Sequence, residues 1–187
     1  EIHPNQKRII NELKKIISNQ DEDIRVFPLK DRIDVWRILI KFDGSLLYSN
    51  RWFYMIVEFP PEYPQHYPLF RFVKPPFHPN ITDQGRVCID AFDQIYKNNM
   101  TVLELIGHIK TLMMIQPSFD SCVDLRRQQL ADNKEEFERI VKKWNEDNGK
   151  DSPEDWEKDW KIQPDGVLFK GVESSNTSIV PPQYRCP

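Results

Sequence analysis

The chain has 187 residues, 39% hydrophobic and 29% charged, with 26 Lys+Arg against 29 Asp+Glu and a net charge of -3. Such a length supports one core with an appendage, and the near balance of charge excludes nucleic acid as the main partner, because phosphate binding needs clustered positive charge. No apolar run approaches the roughly 18 residues of a membrane-spanning helix, and no signal-peptide core opens the chain, so a cytoplasmic or nuclear protein with no membrane partner is expected.

Asn5 is placed to cap a first helix, in which Ile9, Ile10, Leu13, Ile16 and Ile17 recur at the helical period while Lys7, Arg8, Lys14 and Lys15 lie on the other face. Strands follow. Trp36, Ile38, Ile40 and Phe42 alternate with Val35, Arg37, Leu39 and Lys41, and Phe53, Met55, Val57 and Phe59 alternate with Trp52, Tyr54, Ile56 and Glu58. With shorter strands at 24–27 and 69–73, this predicts an antiparallel meander of four strands. Seven of the fifteen prolines fall between Pro60 and Pro79, so apart from the strand at 69–73 that stretch is rigid, irregular backbone.

Thr101 and Glu104 form a capping box before the apolar face Leu105, Ile106, Ile109, Leu112 and Met113. A short helix is expected after Asp120 or Ser121. Another starts at Asn133, carries Phe137, Ile140, Val141 and Trp144, and ends at Asn148-Gly149. Strands and helices in separate blocks indicate an α+β fold.

Residues 151–187 hold seven acids and four bases, which leaves the first 150 residues balanced. The composition break near Gly149 divides the chain into a domain at 1–149 and an extension at 150–187, read as a linker toward a further domain. Within the extension Trp156 and Trp160 at i, i+4 predict a short helix that packs back on the core.

The three cysteines, Cys88, Cys122 and Cys186, match neither a disulfide framework nor a zinc pattern. No metal and no cofactor are expected. Cys88 follows a glycine turn and lies near His78-Pro79-Asn80. On local sequence alone a lone thiol is more often inert packing than a nucleophile. Three N-x-S/T matches, at Asn80, Asn99 and Asn176, are read as chance.

The segment from Phe77 to Asp90 nevertheless resembles the active-site signature of the ubiquitin-conjugating (E2) enzymes: His78-Pro79-Asn80, then Gly85, then Cys88 eight residues after the Asn. Lys7-Arg8-Ile9 on the basic first helix, Trp36, Phe59-Pro60, Tyr63-Pro64 and the helix from Phe137 to Trp144 extend the similarity over about residues 5–148. The resemblance implies the UBC-like fold, with an N-terminal helix, a four-stranded meander, an active-site loop, a central helix and two C-terminal helices. It also implies a function. Cys88 takes ubiquitin, or a related modifier, from an activating (E1) enzyme as a thioester and passes it to a lysine or to a ligase (E3).

Within that resemblance Cys88, Asn80 and Asp120 are the catalytic positions. Asn80 is suited to donate to an oxyanion or to brace the loop, and Asp120 to orient the attacking lysine or to cap the next helix. His78 and Pro79 support the loop, and Asp90 is a second acidic candidate for the rim. Lys7, Arg8, Pro64, Gln65, Asn98 and Asn99 fall where the family meets E1 and E3. There the chain departs from the family pattern: Tyr96 replaces a usual Trp, Lys97-Asn98-Asn99 a Ser-Pro-Ala type loop, and Gln65 an aromatic. The closing residues 180–187 loosely resemble the opening of a U-box, a ligase module, which makes a U-box in the same parent chain one form the E3 partner takes. The alternatives are a non-catalytic adaptor of the same fold, which typically lacks the Cys and Asn, and an E2 for another ubiquitin-like modifier.

Overall fold

The computed structural model describes residues 4–87, 95–114 and 123–162. Cys88, Asp90, Asp120, Cys122 and Cys186 lie outside the described residues, as does the side chain of Trp160.

Helix α1 (Pro4–Asn19) leads into four strands, β1 (Ile24–Leu29), β2 (Arg32–Lys41), β3 (Trp52–Glu58) and β4 (Leu69–Phe72). Among the described residues four helices follow: α2 (Val102–Met114), α3 (Asp124–Asp132), α4 (Lys134–Asn148) and α5 (Pro153–Ile162). The strands form one antiparallel sheet in chain order, the meander that the alternating pattern predicts. Trp36 pairs with Val57, Ile38 with Met55 and Ile40 with Phe53, while Val57 and Met55 pair in turn with Phe70 and Phe72. Because side chains alternate across a sheet, these residues share one face. They join Ile9 and Ile16 of α1, Leu105, Ile106 and Ile109 of α2, and Phe137 and Val141 of α4 in the main core.

The termini of the helices show which local signals held. Thr101 and Glu104 cap α2 reciprocally: the Thr101 N–H donates to Glu104 Oε2 at 2.6 Å and the Glu104 N–H to Thr101 Oγ1 at 3.1 Å. The Asn133 side chain accepts from the Glu136 N–H at 3.1 Å and starts α4. Asn5, by contrast, does not cap α1. The helix begins at Pro4, and the Asn5 amide donates instead to the Pro61 carbonyl at 3.2 Å. Ile17, expected on the apolar face of α1, is 64% exposed, because the buried stripe of the helix runs through Ile9, Glu12 and Ile16.

Glu12 is the least expected core residue. Its side chain is fully buried on α1, pairs with Arg8 at 2.8 Å and Lys15 at 3.6 Å, and accepts the Val102 N–H at 3.0 Å. A buried carboxylate thus answers an orphan donor at the α2 N-terminus, where its charge also suits the helix dipole.

Every β3 residue from Trp52 to Val57 is buried, so both faces of the strand are covered. The second face carries Val35, Leu39, Trp52, Tyr54 and Ile56, and Trp156 of α5 completes that cluster. Past Gly149 the backbone of Lys150 exchanges hydrogen bonds with Trp52 at 2.8 and 2.9 Å. The Trp156 indole N–H donates to the Trp52 carbonyl at 2.9 Å and its ring lies 5.5 Å from Tyr54. Arg51 reaches across to the carbonyls of Asn145, Glu146 and Gly149 at the end of α4, where the Asn145 carbonyl also accepts the Gly149 N–H at 2.8 Å. Gly149 itself is extended (φ -101°, ψ 167°), without the left-handed turn common after helices.

Trp156→Ala is expected to cost about 3 kcal/mol, the usual range for removing a large buried aromatic. Urea unfolding measures it. A loss below about 1 kcal/mol would show that α5 only rests on the sheet.

Candidate active site

Residues 73–87 have little regular structure, yet residues 75–81 are all buried. Buried irregular backbone must find hydrogen-bond partners elsewhere, and the surrounding elements supply them. The Phe77 carbonyl accepts from the Tyr48 hydroxyl at 2.6 Å, and the Pro79 carbonyl from the Val123 N–H at 3.0 Å. The carbonyls of His78 and Ile81 accept from Arg126 Nη1 at 3.4 and 2.6 Å. Upstream, the Pro75 carbonyl accepts from the Trp144 indole at 2.8 Å and the Asn148 amide at 3.0 Å.

His78 is bonded at both nitrogens of its ring. Its Nδ1 accepts the Asn80 N–H at 2.9 Å, which leaves Nε2 protonated to donate to the Leu112 carbonyl at 3.2 Å. Both ring nitrogens are used in the neutral form. Burial, reinforced by the nearby Arg126 charge and only partly offset by the bond to Leu112, pushes the His78 pKa down to about 4. Asn80 is wholly buried, and its neighbour Ile81 closes a turn through its N–H to the His78 carbonyl at 3.0 Å.

After Ile81 the chain reverses. The Gly85 N–H donates to the Thr82 carbonyl at 2.9 Å, the Arg86 N–H to Thr82 Oγ1 at 3.0 Å, and the Thr82 N–H to the Arg86 carbonyl at 2.9 Å. Gly85 has φ +83°, and a Cβ there would lie 1.8 Å from the Phe72 carbonyl oxygen, so only glycine fits. The turn pairs Ile81 with Val87 and Arg71 with Arg86, which ties it to the edge of the sheet.

The residues expected to meet E1 and E3 also come together, but unequally. The Tyr96 hydroxyl donates to the Pro64 carbonyl at 2.6 Å, which joins the loop around 96–100 to the one around 61–66. Lys7, Gln65, Asn98 and Asn99 are exposed along this join. Arg8 is engaged inside the molecule: it pairs with Glu12, donates to the Met100 carbonyl at 3.1 Å, and lies 6.0 Å from the Tyr63 ring centroid. Among the described residues no group of His, Cys, Asp and Glu could hold a metal ion.

Tyr48 and Arg126 are site residues that the sequence did not single out. Arg126 stands in a short helix without an apolar stripe to mark an inward face, and the rings it stacks on, Phe77 and Trp144, are distant in sequence.

The sequence model of the ubiquitin-conjugating enzyme family matches residues 8–145. The chain belongs to that family. It is similar to ubiquitin-conjugating enzyme E2 2 of Kluyveromyces lactis, at 25% identity over 153 residues that span 81% of this chain and 93% of the relative. The Saccharomyces cerevisiae enzyme of the same name is 25% identical over 77% of this chain and 87% of its own length. A protein of Acanthamoeba polyphaga mimivirus named as a probable bifunctional E2/E3 enzyme is 28% identical over 80% of this chain, in a stretch that is 12% of that protein. The fold is therefore that of an E2 domain.

The His78 geometry gives a pH test. The unfolded chain, with an ordinary His pKa near 6.5, binds more protons than the folded one, whose value is about 4. This residue's contribution is therefore full above about pH 6.5 and lost as pH falls toward 4, by about 3 kcal/mol in all at 1.36 kcal/mol per unit. Urea unfolding as a function of pH should show that slope in the parent and a shallower one in His78→Gln, which cannot titrate. Equal slopes would remove His78 as the cause.

Proposed function

We propose that this protein is a catalytically active E2, which carries ubiquitin or a related modifier as a thioester on Cys88. The pairing of Ile81 with Val87 carries this reading. In the sequence Asn80 directly precedes one member of the pair and Cys88 directly follows the other, and the glycine-dependent turn between them joins the two ends of the signature.

The chemistry proceeds in two exchanges. The Cys88 thiolate attacks the modifier's thioester on E1, and the E1 thiol leaves. A substrate amine, or an E3 thiol, then attacks the carbonyl on Cys88, and the Cys88 thiolate leaves. The thioester conserves the activation of the acyl group, so the transfer itself draws on no nucleotide. Asn80 is of the residue type that stabilises the oxyanion of the second exchange. Asp120 supplies a carboxylate that orients the incoming lysine and takes its proton, since an amine of pKa near 10.4 is mostly protonated at neutral pH.

The polar face formed by Lys7, Pro64, Gln65, Asn98 and Asn99 is the reading for E1 and E3 contact. Arg8 supports that face from beneath, and Asp90 remains a second rim acid. Residues 150–187 are read as an extension of the catalytic domain whose first helix, α5, covers the sheet. The likeness to a protein named for both E2 and E3 functions supports an E3 carried on the same parent chain, in keeping with the U-box-like residues 180–187.

Incubation with E1, ATP and a panel of modifiers should give a reductant-sensitive adduct that is absent in Cys88→Ala. No adduct with any modifier and several E1 enzymes would leave the adaptor reading in its place. Asp120→Ala should still charge but discharge to free lysine roughly tenfold or more slowly from the isolated thioester. Unchanged discharge would take Asp120 out of the mechanism.

A further inference from the structure

Arg126 projects from the first turn of α3 and is 4% exposed. Its guanidinium lies 4.3 Å from the centroid of Phe77 and 5.7 Å from that of Trp144, so its charge is held against two aromatic rings. Among the described residues its donors reach one loop: Ile81 O at 2.6 Å, His78 O at 3.4 Å, and the Asp83 carboxylate. Those acceptors bracket Asn80 on both sides.

A buried cation is costly to desolvate, and an apolar side chain of similar size often serves stability as well or better. What an apolar side chain cannot do is bind two carbonyls and a carboxylate from one rigid, planar group. The arrangement is therefore suited to holding geometry more than to adding stability. The same helix start holds the loop a second time, through the Val123 N–H on the Pro79 carbonyl. Residues 78, 79 and 81 are thus fastened to α3, while Asn80 is fastened to His78.

We propose that Arg126 is a positioning residue for the transfer step, clasping the loop on either side of Asn80 so that the Asn80 amide keeps a fixed place beside the reacting carbonyl. This rests on the reading of Asn80 and Cys88 given above. Arg126 acts through Asn80 and touches no substrate. Its effect on transfer must therefore vanish when Asn80 is absent, whereas a general structural effect would persist and multiply.

The test uses the full chain as parent, Arg126→Lys and Arg126→Met, each with and without Asn80→Ala. Discharge to free lysine is followed from the isolated thioester, so that charging does not enter. Arg126→Met should discharge about tenfold more slowly than the parent, Arg126→Lys should recover part of that loss, and in the Asn80→Ala background Arg126→Met should change the rate by less than about twofold. Multiplying losses, or discharge at the parent rate, would overturn the proposal.

Amide hydrogen exchange supplies a readout that needs no modifier. Exchange at Asn80 and Ile81 should quicken at least tenfold in Arg126→Met while the β2 and β3 amides hold. Unchanged exchange at the loop refutes the clasp even if the parent charges normally. A parent that never forms a thioester refutes the proposed function instead. If Arg126→Met loosens the strands as well, Arg126→Lys decides: quickening confined to the loop supports the clasp, and none overturns it.

Discussion

A buried loop without regular structure has to borrow its hydrogen bonds, and the placement of the site in this E2 domain follows from that constraint. Between Pro75 and Ile81 the carbonyls are answered by Tyr48 from the β2–β3 connection, by Val123 and Arg126 from the α3 start, and by Trp144 and Asn148 from α4. His78 adds a bond to the last turn of α2. Four separate parts of the chain converge on one short segment. Each unanswered carbonyl would cost on the order of 1–3 kcal/mol in the interior, so the loop is held in place only while all four stand where they do.

The sheet makes that convergence possible. Its inner face sets α1, α2 and α4 around one core, and this fixes the α2 end near His78 and the α4 aromatic side near Phe77. Its outer face is also apolar along β3, and α5 covers it with Trp156. The cover is tied down by polar contacts as well as apolar ones: Lys150 lies 4.7 Å from the Trp156 ring centroid and bonds to Asp159, and Arg51 closes the end of α4. The Glu12 carboxylate has a comparable part elsewhere, where it joins α1 to the start of α2.

Patterns with a local cause were legible. Alternation in β2 and β3 reports a pleated strand, although β3, which the alternation reads as half-buried, is covered on both faces because α5 packs on the second, and the capping box at Thr101 and the cap at Asn133 report bonds made within a few residues. The glycine turn was readable for the same reason, since Gly85 answers a backbone conformation, whereas the His-Pro-Asn loop was read through its resemblance to a family signature and the bond between Asn80 and His78 was not foreseen. Asn5 shows the limit of such signals. It has the right residue type for a cap, but a long-range bond to Pro61 takes its side chain.

By itself, then, the sequence determined the family, the order of the elements and the residues of the signature loop, because each depends on contacts short in sequence or on a motif of fixed spacing. Only the tertiary structure decided that Arg126 and Tyr48 bind the loop, that Arg8 turns inward, that Glu12 is buried and which face of the sheet α5 packs on. Those outcomes pair groups from distant parts of the chain. A guanidinium between two rings and two carbonyls has no local pattern, and its role exists only once the core has brought α3, α4 and the loop together.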